Sequence, residues 1–257
     1  MSPRLSVVVC ARNDRERIVP TLRSLVGQVS LVDVEIVLVD GASGDSTPDV
    51  ARRILGDLPD VIVDSRNDTG VFDAMNRGLR LAGGDYVYFL NCGDAFTSPS
   101  VVKELLDVLP VDPAESPLVV SRVRHHGDPS APFVTRTVPF RLGRLLLSRQ
   151  DYNHQAMVFS RGAALAAGGF RLRYGVASDY DLILRLALLA PPLETDLVLA
   201  DYEGGGLSAA NPAQIPVLHA AARQDVFRLS GVGAWLNRGY GALQGRRRGY
   251  LRARAAP

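Results

Sequence analysis

The residues Asn91, Cys92, Gly93 and Asp94 follow directly on an unbroken apolar run, Tyr86 to Leu90. Such a run reads as a buried strand. Ending it on an amide, a thiol, a bare backbone position and a carboxylate, with no ordinary turn sequence, sets chemistry at a strand's carboxyl end. Polar residues stand in the same relation to three earlier strand-like runs: Asn13 after residues 5–11, Asp40 closing residues 34–40, and Asp68 after residues 61–64. Four strand ends delivering polar groups to one edge make a ligand site, because open α/β sheets bind ligands at the carboxyl ends of their strands.

The elements between them fix that edge. LSVVVCA (5–11) and VEIVLVD (34–40) are continuous, β-branched and apolar, the pattern of strands covered on both faces. Asn13 with Glu16 predicts a capping box. Ile18, Val19, Leu22, Leu25 and Val26 then share one helical face, with Pro20 either kinking the helix or marking where its regular part begins. Thr47-Pro48 and Ser98-Pro99 read as N-caps followed by a first-turn proline. Residues 70–81 predict a helix with Phe72, Met75 and Leu79 inward. This alternation calls for a parallel sheet with helices on both faces. The common strand order 3-2-1-4 would bring Cys10 and Cys92 together at the floor of the site.

After about residue 110 the pattern changes. Residues 117–126 and 132–140 predict an antiparallel pair, and residues 156–160 and 197–202 two more strands. Ser178 is expected to cap a helix over 180–189, stopped by Pro191. The chain from about residue 211 is expected to be helical and ends in arginines.

Composition narrows the classes. The chain has 257 residues, 47% of them hydrophobic, enough for a substantial core. A formal charge of +2 argues against a nucleic-acid-coating surface. Lys103 is the sole lysine, which reads as a bias of the genome. Two cysteines outside any CxxC pattern argue against zinc and against a disulfide framework, and favour a reducing compartment, the cytoplasm. No stretch is long and apolar enough to span a bilayer, and the N-terminus lacks a signal peptide's apolar region. The expectation is a soluble protein, peripheral at most on the inner face of a membrane.

SVVVCARND, VEIVLVDGASGDST, NDTGVFDAMNRGLRLAGGDYVYFLNCGD, HQAMVFSRGAALAAGGF, ASDYDLILRL and GGGLS, in this order over roughly residues 4–208, resemble the successive motifs of family 2 glycosyltransferases. The nearest resemblance is to the bacterial branch that builds exopolysaccharide and other surface glycans. It implies a GT-A fold: a mostly parallel sheet with helices on both faces, a small antiparallel acceptor-side hairpin and a C-terminal helical tail. The implied division is one domain over 1–210, with a nucleotide-sugar half (1–97) and an acceptor half (98–210), and a tail over 211–257. The implied reaction takes a sugar from a nucleotide diphosphate, with UDP the expected nucleotide, to a saccharide or lipid-linked acceptor hydroxyl, with inversion and a divalent cation, Mn²⁺ or Mg²⁺.

Residue by residue, Asp94 matches the family's metal-binding aspartate; hard cations take carboxylate, water and phosphate oxygen. Gly93 stands where the family commonly has a second acid that contacts the ribose, a contact that Asn91 could take over. Ala11, Asn13, Asp40, Asp68 and His154 match donor-site positions. Arg77 matches a basic position that either binds phosphate or is solvated on its helix. Asp179 matches the general base, while Asp181 reads as a first-turn acid complementing the helix dipole. The glycines at 204–206 resemble a loop closing over the diphosphate, or a flexible exit from the domain.

Two rival readings stand beside this one. A nucleotidyltransferase would need a glycine- and lysine-bearing loop after the first strand, and CARNDRER has neither. A non-catalytic nucleotide-sugar binder is disfavoured by the pairing of Asp94 with Asp179. In the tail, Arg246, Arg247, Arg248, Arg252 and Arg254 with Trp235, Tyr240 and Tyr250 suit either an anionic membrane surface or a solvated end.

Overall fold

The structure, a computed structural model, describes residues 3–255 except 29, 57, 127–131, 151, 153 and 205–211, with side chains described through residue 249. Among the described residues nine strands form one sheet in the order β3-β2-β1-β4-β8-β6-β9-β5, with β7 beside β6. The strands β1 (Leu5–Ala11), β2 (Val34–Asp40), β3 (Val61–Ser65) and β4 (Tyr86–Phe89) are mutually parallel, in the expected order. β1 lies between β2 and β4, which pair both its edges, and it is buried almost throughout, so its apolar run has little polar alternation to show. The crossovers are α1 (Ile18–Val26), α2 (Thr47–Leu55) and α3 (Val71–Leu81).

The second half pairs differently. β8 (Met157–Ser160) runs antiparallel to β4, and β6 (Leu118–His125) lies between β8 and β9 (Leu193–Tyr202). The short β5 (Ala95–Phe96) closes the edge on β9, followed by α4 (Val101–Val108). The expected hairpin is reduced to two residue pairs between β6 and β7 (Phe133–Val134). β8 covers that edge of β6 only over Leu118–Val120, and past β7 hydroxyls join the backbone: Thr135 N–H donates to the Val123 carbonyl at 2.9 Å, Thr135 Oγ1 accepts from Val123 N–H at 3.1 Å, and Thr137 Oγ1 donates to the Ser121 carbonyl.

The helix starts depart from the cap predictions. No capping box forms at Asn13: its φ is 53° and its side-chain oxygen accepts from Gly44 N–H at 2.9 Å, so α1 begins only at Ile18. Pro20 falls in the first turn, where a missing N–H leaves no helical bond unmade. Thr47 lies inside α2, its hydroxyl accepting from Asp14 N–H at 3.0 Å. Helix α4 starts after Ser100 rather than at Ser98. Ser178 is the first residue of α7 (Ser178–Ala187), and its hydroxyl donates backwards to the Gly175 and Arg171 carbonyls.

After α5 (Leu142–Leu146) and α6 (Arg161–Ala166), the chain ends in α8 (Ile215–Val226) and α9 (Gly231–Ala255). These two are packed rather than trailing. The backbones of α8 and α9 approach so closely that a Cβ on Gly241 would lie 2.7 Å from Ala220 Cβ. Helix α8 in turn docks on α7: His219 stacks on Tyr180 with ring centroids 3.7 Å apart, and Arg223 donates to the Tyr180 hydroxyl at 3.2 Å.

Candidate functional site

A cavity of about 300 Å³ opens at the carboxyl ends of β1 and β4, against the start of α7 and the end of β9. Of the sequence-predicted residues, Asn91, Asp94, His154 and Asp179 line it. The carboxyl end of β4 delivers the first two, the 3₁₀ turn His154–Ala156 before β8 brings His154, and the first turn of α7 brings Asp179.

Asp94 is held by a tight turn, its N–H donating to the Asn91 carbonyl at 3.1 Å, with Gly93 at φ 94°. That backbone angle favours glycine. The Asp94 carboxylate is 2% exposed, and burial pushes its pKa up to about 6. Glu203 N–H donates to Oδ1 at 2.9 Å, and the Gln155 side-chain amide donates to Oδ2. Among the described residues no group of three or more His, Cys, Asp or Glu could hold a metal. A cation here would take Asp94 oxygen and draw its remaining ligands from phosphate and water. A buried carboxylate facing a cavity fits that donor set, since a positive charge offsets its desolvation.

Asn91, His154 and Asp179 form a hydrogen-bonded chain. The Asn91 amide donates to His154 Nε2 at 3.0 Å, which leaves the ring proton on Nδ1, 3.4 Å from Asp179 Oδ2. Asp179 Oδ1 accepts from Tyr180 N–H at 2.7 Å. The carboxylate is thereby fixed in rotation, while its side chain stays 15% exposed at the cavity. Asp181, two residues on, is fully buried and paired with Arg185 at 2.6 Å, away from the cavity.

Sequence reasoning missed the opposite wall. Arg17 donates to the Cys92 carbonyl at 2.9 Å, pairs with Glu203 at 2.8 Å and reaches Asp14 at 3.3 Å. Asp14 and Arg17 line both the cavity and a neighbouring depression that includes Asn13 and Asp45. An arginine just before a helix reads as solvated in sequence; only the fold sets it against β4's end.

Other predicted residues lie outside the cavity lining. Ala11 is buried beside Asp40, and its carbonyl accepts from Gly41 N–H at 2.9 Å. The fully buried Asp40 carboxylate accepts from Ser43 N–H at 3.0 Å and from the Ser43 and Ser65 hydroxyls at 2.5 Å each. Asp68 accepts from Gly70 N–H at 3.0 Å and faces Arg12 at 3.7 Å. Arg77 corrects both of its expected roles. It is neither solvated nor open to a phosphate: its guanidinium is buried against Asp64 at 2.7 Å and donates to the Asp40 and Arg66 carbonyls. Of the glycine-rich loop, only Gly204 lies within the described residues, at the cavity wall. The two thiols are adjacent, with Cys92 Sγ 3.3 Å from the Cys10 carbonyl; burial raises the Cys10 pKa to about 12 and that of Cys92 well above its usual value.

Residues 6–170 match the family model described as Glycosyl transferase family 2. The chain belongs to that family. An uncharacterised glycosyltransferase of Mycobacterium tuberculosis H37Rv is 31% identical over 212 residues, covering 81% of this chain and 78% of the relative. A PGL/p-HBAD biosynthesis glycosyltransferase of Mycobacterium bovis BCG is 31% identical over 80% of each chain. Among solved structures, Staphylococcus aureus TarS 1–349 in complex with UDP-GlcNAc superposes with a TM-score of 0.68 at 18% identity, covering 86% of this chain and 67% of that one. The Pyrobaculum calidifontis mannosyltransferase PcManGT, in complex with GDP-Man and Mn²⁺, gives 0.67 at 22% identity, covering 100% and 76%. The fold is therefore GT-A, and this member of family 2 is a glycosyltransferase. Among the described residues no helix is long and apolar enough to cross a membrane.

Proposed function

We propose that the protein transfers a sugar, with inversion, from a nucleoside diphosphate sugar to an acceptor hydroxyl, using Asp179 as general base and Asp94 as the ligand of a divalent cation. The observation that carries this reading is that Asp94 and the Asn91–His154–Asp179 chain line one cavity. UDP is the proposed nucleotide, supported by the UDP-GlcNAc bound to a structural neighbour. The proposed acceptor is a saccharide or a lipid-linked one, in surface glycan or glycolipid synthesis.

The acceptor oxygen is a weak nucleophile and must lose its proton as it attacks the anomeric carbon. Asp179 takes that proton. The acceptor oxygen–carbon bond forms on one face of the sugar as the carbon–diphosphate bond breaks on the other, which inverts the centre. His154 orients Asp179 through Nδ1. Arg17, at the cavity wall, offers positive charge to the departing diphosphate. A bound Mn²⁺ or Mg²⁺ would supply charge neutralisation of the diphosphate, held through Asp94.

The test is a panel of nucleotide sugars assayed for hydrolysis and transfer with and without Mn²⁺, followed by assignment of the product's anomeric configuration by NMR. Metal-dependent turnover with an inverted product is expected. A retained configuration would remove Asp179 from the base role, and metal-independent turnover would remove the cation from Asp94.

A further inference from the structure

Helix α9 carries its apolar residues on the wrong side for a surface helix. Ala234, Gly241 and Gly245 face α8. At 100° per residue, Val232, Trp235, Leu236, Leu243, Arg246 and Arg247 fall on the opposite side, within an arc of about 120°. The four apolar members are 73%, 68%, 57% and 65% exposed. Singly exposed apolar residues need no explanation, but four on one helical face, with arginines continuing the same face, mark an interaction surface. The 25 residues of α9 include six arginines and no Asp or Glu.

We propose that this outward face of α9 docks on an anionic lipid surface. Apolar side chains with tryptophan entering the headgroup boundary, and arginines meeting phosphate, are the make-up of an interfacial helix. Two alternatives fit less well. A symmetric second copy would set Arg246 and Arg247 against their own copies, with no acid on the helix to relieve them. A nucleic acid would meet the arginines but would leave Val232, Trp235, Leu236 and Leu243 without apolar cover. Arg248 donates to the Ser148 carbonyl at 3.2 Å and Asn237 to the Ala220 carbonyl at 2.6 Å, so the inward side is pinned and the outward side is fixed in direction.

The chain provides its own probe, because Trp235 is its only tryptophan. Full-length protein is titrated with vesicles of phosphatidylcholine alone and of phosphatidylcholine with phosphatidylglycerol, while tryptophan emission and cosedimentation are followed. The expected result is a blue shift and cosedimentation with the anionic vesicles only, reversed by salt. The double variants Arg246→Ala/Arg247→Ala and Leu236→Gln/Leu243→Gln should each weaken vesicle binding at least about tenfold. Both alter exposed residues remote from the cavity, so donor hydrolysis should stay at the wild-type rate. Point variants serve better than truncation, since α9 covers α8. No blue shift with anionic vesicles would overturn the proposal, as would binding indifferent to both variants. A shift that follows protein concentration without vesicles would assign the face to a second copy, and a shift produced equally by a DNA duplex would assign it to nucleic acid.

Discussion

A Cβ on Gly93 would lie 2.2 Å from Glu203 Oε2 and 2.7 Å from Arg17 Nη2, so the Arg17–Glu203 ion pair fills the space that a side chain at position 93 would need. Where family members commonly carry an acid, this chain brings a carboxylate from β9's end instead. Gly93→Ala must push that pair aside and hold alanine at φ 94°, a combination expected to cost about 1–3 kcal/mol. Differential scanning fluorimetry should show a lowered Tm, and the displaced Arg17 should weaken donor binding as well. A variant with wild-type Tm and donor affinity would mean that the pair moves freely and does not shape the site.

Asp94→Asn should abolish metal-dependent turnover while leaving the fold intact. The pH dependence gives a second handle. Burial lifts the Asp94 pKa to about 6, above the ordinary aspartate range, so the folded protein binds the proton more tightly than the unfolded chain does. The burial cost is absent below about pH 4 and fully present above about pH 6, where it amounts to roughly 3 kcal/mol. A cation that cancels this cost should raise Tm more near pH 7.5 than near pH 5, and the asparagine variant should show no such rise. Equal Mn²⁺ stabilisation of wild type and variant would detach the ion from Asp94.

Asp179→Asn should bind donor normally and slow transfer by about 10²- to 10⁴-fold. His154→Ala should act through Asp179, lowering kcat with little change in donor affinity and altering the pH–rate profile of transfer. If His154→Ala instead abolishes donor binding, its contact is with the nucleotide sugar. The fully buried Asp181, paired with Arg185, is not a substitute base.

Both thiols border the cavity, yet burial raises their pKa values, leaving little thiolate at neutral pH. Iodoacetamide should therefore inactivate slowly, faster as pH rises, and UDP with Mn²⁺ should slow the reaction further. Rapid modification near neutral pH without loss of activity would contradict both the burial and the position of these cysteines.

The parallel half of the sheet was legible because β1, β2 and β4 are buried almost throughout, so burial is written as a largely apolar run. That reading extended to the 3-2-1-4 order and to the meeting of Cys10 with Cys92. Caps were misread because Asn13 and Thr47 bind across loops to Gly44 and Asp14, partners that local spacing does not reveal. Arg77 was misread for a related reason. Its position on α3 is plain in sequence, but its partners Asp64 and the Asp40 carbonyl come from two other strands. Asn91 and Asp94 stood out as polar groups ending a buried strand, and His154 and Asp179 through motif resemblance, whereas Arg17 and Glu203 carry no motif and meet only through the closure of β5 and β9 over α1.

The stacking of His219 on Tyr180 joins the residue next to Asp179 to helix α8, which lies beyond the matched family segment of residues 6–170. On the proposed assignment, the neighbour of the base is thus anchored by a stretch of chain outside the matched segment. Exchanging α8 with that of a relative should change the turnover number and leave the choice of nucleotide alone, so that this lineage could retune its rate without relearning its substrate.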